Sequence, residues 1–116
     1  MRSIPPLFYV TISNMTGIDI VDISRIQLLP SFINRVLTPE EQEEYKQRKT
    51  ERLQKEYIAG RFAAKEAIFK MTQDKNYLHY SILRQKTGQP YVKDHPEIEI
   101  SISHDAGIAI AIAVSH

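Results

Sequence analysis

The chain is built around Tyr57-Ile-Ala-Gly-Arg-Phe-Ala-Ala-Lys-Glu-Ala-Ile-Phe-Lys-Met71, a stretch whose pattern predicts the middle and end of one long helix. No proline interrupts residues 51–72, and most of these residues are good helix formers, so the helix is predicted over about Glu51 to Thr72. Bulky apolar side chains recur mostly at spacings of three, four and seven, which is enough to bury one helix face. Small residues lie between them, so another backbone or a flat ligand could approach the helix closely: Ala59, Gly60, Ala63, Ala64 and Ala67.

The same stretch carries a group of charged side chains. Arg61 and Lys65 are one helical turn apart, and so are Glu66 and Lys70. At about 100° per residue, these side chains fan over about half of the helix circumference. One interpretation is a solvated face with a salt bridge between Glu66 and Lys70. The other is an anion site, in which the cations surround a polyphosphate and Glu66 holds a divalent metal ion that bridges phosphate oxygens.

The composition limits what the protein can be. A chain of 116 residues predicts one domain with one modest core, here residues 15–116 preceded by an N-terminal extension of residues 1–14. A net charge of +1 argues against a protein that acts mainly by non-specific nucleic-acid binding. The absence of cysteine excludes disulfides and thiolate metal sites, and it is consistent with a reducing, cytoplasmic location. No apolar run is long enough to span a membrane.

The segment from Thr16 to Ile26 changes its periodicity midway. Ile18 and Ile20 suit a buried strand, after which residues 22–29 predict a short helix that Pro30 ends. Pro30 serves as the stop signal because a proline interrupts a helix from within.

A carboxylate, Asp19, lies inside this apolar run. Burying an unpaired charge is costly, so Asp19 needs a partner. Backbone N–H groups at a helix start and a metal ion are both plausible partners. Gly17, two residues earlier, predicts that another group approaches the backbone closely.

A second helix is predicted at Leu37-Thr-Pro-Glu-Glu41. Thr38 can cap it, Pro39 suits the first helical position, and Glu41 completes a capping box. We expect this polar helix to continue to about Lys49 and to bend there into the long helix.

Residues 98–104 and 108–114 alternate in polarity on either side of Asp105-Ala-Gly107, a tight-turn signal, and therefore predict a β-hairpin. Its isoleucine face is expected to build a core, and its alanine and serine face is expected to pack against the small side of the long helix. A shorter strand pair is expected at residues 77–84 and 91–92. These features predict an α+β fold, in which an antiparallel β-sheet packs against the long central helix.

His104 stands at the end of the first hairpin strand, directly before the turn. Its neighbours Ser101, Ser103 and Asp105 are polar, and ligands commonly bind at strand ends. A lone histidine is more often structural than chemical, so both interpretations stay open on the residues alone.

Three stretches together resemble the holo-acyl-carrier-protein synthases, a family of 4′-phosphopantetheinyl transferases. They are Gly17-Ile-Asp-Ile-Val-Asp-Ile-Ser-Arg-Ile26, Ala59-Gly-Arg-Phe-Ala-Ala-Lys-Glu-Ala67 with Lys70, and Ser101-Ile-Ser-His104. The resemblance spans residues 17–114. It implies a single domain with the fold of that family.

The resemblance implies a reaction and its cofactor. The family transfers 4′-phosphopantetheine from coenzyme A to a serine of apo-acyl carrier protein and releases 3′,5′-ADP, with Mg²⁺ bridging the pyrophosphate. Asp19 and Glu66 match the metal carboxylates, and Lys70 matches a residue near the pyrophosphate. Arg61, Lys65 and Lys70, with His104, match positions that line the coenzyme A site. The general base stays open between Glu66 and a metal-bound water.

The resemblance also implies partners. Arg25 and Arg35 match basic residues that face the acidic carrier protein, and Phe32 and Val36 would supply the apolar part of that patch. The family is typically a homotrimer with sites between subunits, and nucleic acid and membranes are not among its partners.

The chain departs from the family pattern after Lys70, where residues 71–76 contain no glycine. A non-catalytic relative that binds coenzyme A or carrier protein therefore stays open as the alternative.

Overall fold

The computed structural model describes residues 15–116, so the predicted extension of residues 1–14 lies outside the described residues. The fold is α+β, as the sequence predicts. Within residues 15–116, three helices and five strands follow one another, with short 3-10 turns after the first strand and after the last helix. Their bounds are β1 Thr16–Asp22, α1 Pro30–Val36, α2 Pro39–Lys46, α3 Glu51–Thr72, β2 Ile82–Arg84, β3 Pro90–Val92, β4 Ile98–Asp105 and β5 Ile108–Ser115.

Helix α3 has the predicted bounds, and its caps explain them. The Thr50 side chain accepts a hydrogen bond from the Leu53 N–H at the start of the helix. Gln73 adopts a left-handed conformation with φ of 70° and ends the helix. No helix within residues 15–116 is long and apolar enough to cross a membrane.

The main sheet has the antiparallel strand order β1-β5-β4, and α3 covers one of its faces. The predicted hairpin is confirmed, with Ala106 and Gly107 both at positive φ in its turn. The alanines of β5 face α3, so sheet and helix pack at short distance. A Cβ atom on Gly17 would lie 1.9 Å from the Ala67 carbonyl oxygen, which confirms that this glycine permits a close approach.

The exposed face of the sheet corrects one prediction. Ile18 and Ile20 are 50% and 61% exposed, and Ile108, Ile110 and Ile112 form the row beside them. Strand alternation places Gly17, rather than these isoleucines, on the face toward α3. Within the main sheet, the isoleucines that reach the core come instead from β4: Ile98, Ile100 and Ile102.

The segment before α1 corrects another prediction. Residues 22–29 do not form a helix: a 3-10 turn covers Ile23–Arg25, and Leu29 is extended. The Asp22 side chain accepts a hydrogen bond from the Ser24 N–H and closes this turn locally. Pro30 begins helix α1 instead of ending one, because the first helical position needs no N–H donor.

The predicted strand over residues 77–84 is shorter than expected. A 3-10 turn occupies Tyr77–His79, and only β2 pairs with β3, through Leu83 and Tyr91 at the centre of the register. Side-chain hydrogen bonds to backbone N–H groups compete with strand pairing here, because the Asn76 side chain accepts from the Leu78 N–H.

Candidate active site

Two carboxylates predicted from the sequence lie on the same cleft. Asp19 comes from the centre of β1 and Glu66 from the middle of α3, and both line a cavity of about 530 Å³. The close packing of β1 on α3 at Gly17 places these two elements side by side. Arg25 from the 3-10 turn and Phe32 from α1 line the same cleft. The cleft therefore combines acidic groups with a basic and an apolar rim.

Lys70 of α3 links the helix to β1 through Asp19, one of the residues that line this cleft. Its ammonium donates to the Asp19 carboxylate and to the Ile18 carbonyl oxygen, each at 3.0 Å. The Lys70 side chain is 52% exposed, whereas the Asp19 side chain is 15% exposed. Asp19 thus has a cationic partner, and the ammonium stays accessible to an anion from solvent.

Glu66 has a partner that sequence reasoning missed. The hydroxyl of Tyr77, in the 3-10 turn after α3, donates to the Glu66 carboxylate. Burial, together with the hydrogen bond and charge of Glu66, raises the pKa of the Tyr77 phenol to about 12. The sequence signal for this turn was the polar series Thr72, Asp74 and Asn76, whose side chains favour local turns.

Arg61 and His104 line a separate pocket of about 290 Å³, together with Arg84 and Ser103. The Arg61 guanidinium is held firmly: it donates to Glu44 at 3.2 Å and to the Ile82 carbonyl oxygen at 3.0 Å. It also lies 4.3 Å from the centre of the Tyr57 ring. Arg84 and Glu44 were not among the residues predicted from the sequence.

A single chain does not bring these two pockets together. Arg61 and Glu66 are about 140° apart around α3, because five residues separate them. Asp19 and His104 lie on the two edge strands of the main sheet, with β5 between them, so about 10 Å of sheet width separates their strands. The predicted residues therefore form two half-sites: the cleft lined by Asp19 and Glu66, and the pocket lined by Arg61 and His104.

Lys65 belongs to neither half-site, which corrects its predicted placement at the coenzyme A site. Its side chain is fully buried, and its ammonium lies 2.5 Å from the Glu41 carboxylate and 2.6 Å from the Val36 carbonyl oxygen. Glu41 also accepts from the Thr38 and Ile82 N–H groups. Burial lowers the pKa of the Lys65 ammonium, and Glu41 opposes that effect.

The predicted carrier-protein patch is only partly at the surface. Arg25 and Arg35 are exposed, and Phe32 is half-buried. The Val36 side chain is fully buried in the core, so it cannot contribute to the patch as predicted. Val36 is the last residue of the short helix α1. Side chains in one turn of such a helix face the core or the solvent according to their position around the axis, and Val36 faces the core.

The residues of the cleft fit a hydrated magnesium ion. No group of three or more histidine, cysteine or acidic side chains placed to hold a metal occurs in residues 15–116. Mg²⁺ does not require one, because one or two carboxylates suffice when water and phosphate oxygens complete the octahedron. Asp19 and Glu66 on one cleft offer that number.

The chain resembles known proteins over most of its length. The family model described as "4'-phosphopantetheinyl transferase superfamily" matches residues 15–113. The holo-[acyl-carrier-protein] synthase of Halalkalibacterium halodurans is 39% identical over 107 residues, which cover 83% of this chain and 89% of the relative. The synthase of Enterococcus faecalis is 41% identical over 111 residues, which cover 82% and 90%.

Solved structures agree with these relatives. A holo-(acyl-carrier-protein) synthase from Bacillus anthracis, in complex with CoA (3′,5′-ADP), superposes with a TM-score of 0.76 at 35% identity and covers 86% of this chain and 93% of that one. The synthase of Helicobacter pylori, in complex with coenzyme A, gives a TM-score of 0.73 at 33% identity over 88% and 100%. The family resemblance and the fold class predicted from the sequence are confirmed: this chain belongs to the 4′-phosphopantetheinyl transferase superfamily and, within it, to the holo-acyl-carrier-protein synthases.

Proposed function

We propose that this chain transfers 4′-phosphopantetheine from coenzyme A to a serine hydroxyl of apo-acyl carrier protein and releases holo-carrier protein and 3′,5′-ADP. The observation that carries the proposal is that Asp19 and Glu66 line one cleft while Lys70 pairs with Asp19, in a chain whose relatives are synthases of this kind. The reaction would belong to fatty acid and lipid biosynthesis, in the cytoplasm. Residues 15–116 would act as a single catalytic domain, with residues 1–14 as an extension.

Asp19 and Glu66 would hold Mg²⁺ in this cleft. When bound, the ion supplies charge neutralisation at the pyrophosphate. Lys70 donates to Asp19 and is half-exposed, so its ammonium can move a short distance to a phosphate oxygen. The remaining task of the protein is to hold the serine hydroxyl and the phosphorus atom in line, which is worth several orders of magnitude in rate.

Arg25 and Arg35 would attract the acidic carrier protein, and Phe32 would make the apolar contact. Arg25 and Phe32 line the same cleft as the two carboxylates. A carrier protein bound to these residues would therefore present its serine directly to Asp19 and Glu66. Rim charges of this kind mainly accelerate association.

A homotrimer with sites between subunits would complete the site. The two half-sites are separated within one chain, and the face of the main sheet opposite α3 exposes a row of isoleucines. An exposed apolar row on a small domain is typical of a protein interface. In such an assembly the Arg61 and His104 pocket of one copy would meet the Asp19 and Glu66 cleft of the next and hold the nucleotide end of coenzyme A.

The reaction can be tested by incubating the protein with apo-acyl carrier protein, coenzyme A and magnesium, and by weighing the carrier protein by mass spectrometry. Asp19→Asn and Glu66→Gln keep the side-chain shapes and remove the charges. Each should abolish most turnover, and the double variant should lose little more than the worse single variant, because both residues serve one ion.

Asp22→Asn is the matched control, because Asp22 lines the same cleft but caps the 3-10 turn. It should keep most of the activity. Thermal melts should show that all variants fold. Full activity in a folded Asp19 or Glu66 variant would contradict the metal assignment, and binding of coenzyme A without a mass change would identify a non-catalytic relative.

Sharing of sites can be tested by complementation. Glu66→Gln and His104→Ala each damage a different half-site, so each pure variant should be weakly active. Coexpressed with different tags and purified through both, the mixed assembly should regain activity, because some sites combine two intact halves. Activity no higher than in the pure variants would contradict a site between subunits.

A further inference from the structure

We propose that Tyr77 is a positioning residue of the active site, whose hydroxyl holds the Glu66 carboxylate in the orientation that binds Mg²⁺. The inference rests on the proposed function, because it takes Glu66 as a metal carboxylate. Tyr77 would then act through Glu66 and would not touch the substrates.

The contact between the two residues is direct. The Tyr77 hydroxyl donates to one carboxylate oxygen of Glu66, and both residues line a second cleft that also contains Arg35 and Lys75. Glu66 thus lies on both clefts, whereas Tyr77 lines only the second. The hydrogen bond engages one oxygen of the Glu66 carboxylate and leaves the other for a ligand.

An aromatic row fixes the Tyr77 ring. Its centroid lies 5.9 Å from that of Phe62 in an edge-to-face arrangement, and Phe62 packs in the same way on Phe32 at 5.5 Å. Such pairs are worth about 0.5–1.5 kcal/mol beyond the area they bury. The row joins α1, α3 and the turn after α3, so the hydroxyl cannot swing away from Glu66 without breaking this packing.

The turn that carries Tyr77 is built from side-chain hydrogen bonds. The Thr72 hydroxyl accepts from the Asp74 N–H at 3.1 Å, Asp74 from the Asn76 N–H at 2.9 Å, and Asn76 from the Leu78 N–H at 3.0 Å. Each acceptor therefore caps the backbone two residues further on, as short polar residues do in turns. This series occupies the segment without glycine after Lys70 and delivers Tyr77 to Glu66.

A second set of contacts closes the turn. The other Asp74 oxygen accepts from the His79 ring at 2.8 Å and from the Tyr80 hydroxyl at 2.9 Å. Tyr80 is buried, so the end of the turn is anchored in the core. The segment that positions Tyr77 is thereby held at both ends.

The protonation state suits the role. A tyrosine hydroxyl carries its proton at neutral pH, whereas an ionised carboxylate has only acceptors, so Tyr77 is the donor and Glu66 the acceptor in this contact. Hydrogen bonds to ligating carboxylates fix their orientation, and removing such a partner commonly costs about 10–100-fold in metal affinity. The same loss is expected here.

Tyr77→Phe tests the inference, because it removes the hydroxyl and keeps the ring on Phe62. We expect the magnesium concentration for half-maximal transfer to rise about 10-fold. The rate at saturating magnesium and the KM for carrier protein should change little. Calorimetry with Mg²⁺ in the presence of 3′,5′-ADP should show the same loss of affinity without any turnover.

Tyr80→Phe is the matched control: it removes a hydroxyl from the same turn, but one that serves Asp74. Its magnesium dependence should shift far less than that of Tyr77→Phe, because Asp74 keeps the His79 ring and the Asn76 N–H as partners and the Glu66 carboxylate keeps its hydroxyl donor. An equal shift in both variants would mean that the hydroxyls only stabilise the turn, and unchanged magnesium affinity in Tyr77→Phe would also overturn the inference. Both outcomes leave the proposed function intact if Glu66→Gln still loses turnover.

A double-mutant cycle in the metal-free protein gives a measurement independent of activity. The thermal destabilisation by Tyr77→Phe should be clearly smaller in a Glu66→Ala background, because the hydroxyl has then lost its acceptor. Strictly additive shifts would overturn the inference. If Glu66→Gln binds magnesium and turns over normally, the metal assignment itself fails, which this cycle does not detect.

Discussion

Lys65 and Lys70 lie five residues apart on α3, yet their surroundings differ completely. The Lys65 side chain is 0% exposed and is enclosed by the end of α1, the start of α2 and strand β2. The Lys70 side chain is 52% exposed and pairs with Asp19, which lines the cleft. Both lysines match the same motif, so their sequence context does not separate a structural cation from one that can bind an anion.

The two lysines also differ in whether the ammonium could leave its carboxylate partner to bind a phosphate. Lys65 is already paired with Glu41, and moving it would leave a buried carboxylate without its cation. Lys70 pairs with a carboxylate that a metal ion can take over, and its side chain is 52% exposed. Burial, rather than charge, therefore distinguishes the lysine that holds the fold from the lysine that we propose for the reaction.

The largest expected effect comes from breaking the buried pair. Lys65→Met keeps the side-chain volume but leaves the Glu41 charge buried without its cation, which costs about 3–5 kcal/mol of the free energy of unfolding. Urea unfolding measures it. Lys55→Met, on the same helix but in a weaker pair with Glu51 at 4.0 Å, should cost far less.

Adding Glu41→Gln to Lys65→Met removes the uncompensated charge and should recover part of the loss. The recovery is only partial because the Thr38 and Ile82 N–H groups donate to different Glu41 oxygens, and the single amide oxygen of Glu41→Gln can accept from only one of them. If Lys65→Met unfolds no more easily than Lys55→Met, burial does not distinguish the two ends of α3, and the comparison fails.

An intermediate effect is expected for Arg61, which is buried but belongs to the second pocket. Glu44→Gln weakens a charge-assisted hydrogen bond to Arg61, and such bonds contribute about 1.5–3 kcal/mol. The free energy of unfolding should fall by an amount in that range, and calorimetry should show weaker binding of coenzyme A. A stability loss without any change in coenzyme A affinity would place Arg61 with Lys65, as a structural cation.

The smallest effect on stability is expected for Lys70→Met. The pair with Asp19 is half-exposed, so its loss should change the free energy of unfolding by less than about 1 kcal/mol. The transfer rate should nevertheless fall about 100-fold or more, as for other donors that stabilise developing charge. If Lys70→Met is strongly destabilised but, once folded, transfers at the normal rate, Lys70 is a structural cation like Lys65.

Several features could be predicted from the sequence because local chemistry determines them. Helix α3 has the predicted bounds, since its residues are helix formers and Thr50 caps it. The Thr38 and Glu41 capping box forms as expected. The β4–β5 hairpin follows from strict alternation around a turn with two residues at positive φ. The close approach of α3 to β1 at Gly17 could also be predicted, because only a residue without a Cβ atom permits it.

Other features depended on which distant element covers each face. Period-2 alternation predicts that β1 and β5 each have two different faces, but it does not predict which face meets α3. In the structure, Ile18 and Ile110 lie on the face that α3 does not cover. Lys65 looks like a surface cation until α1, α2 and β2 enclose it. Tyr77 reaches Glu66 only because a turn of polar side chains replaces a strand. Periodicity and capping record the backbone of a few neighbouring residues, whereas burial and pairing are decided by the packing of elements far apart in the chain.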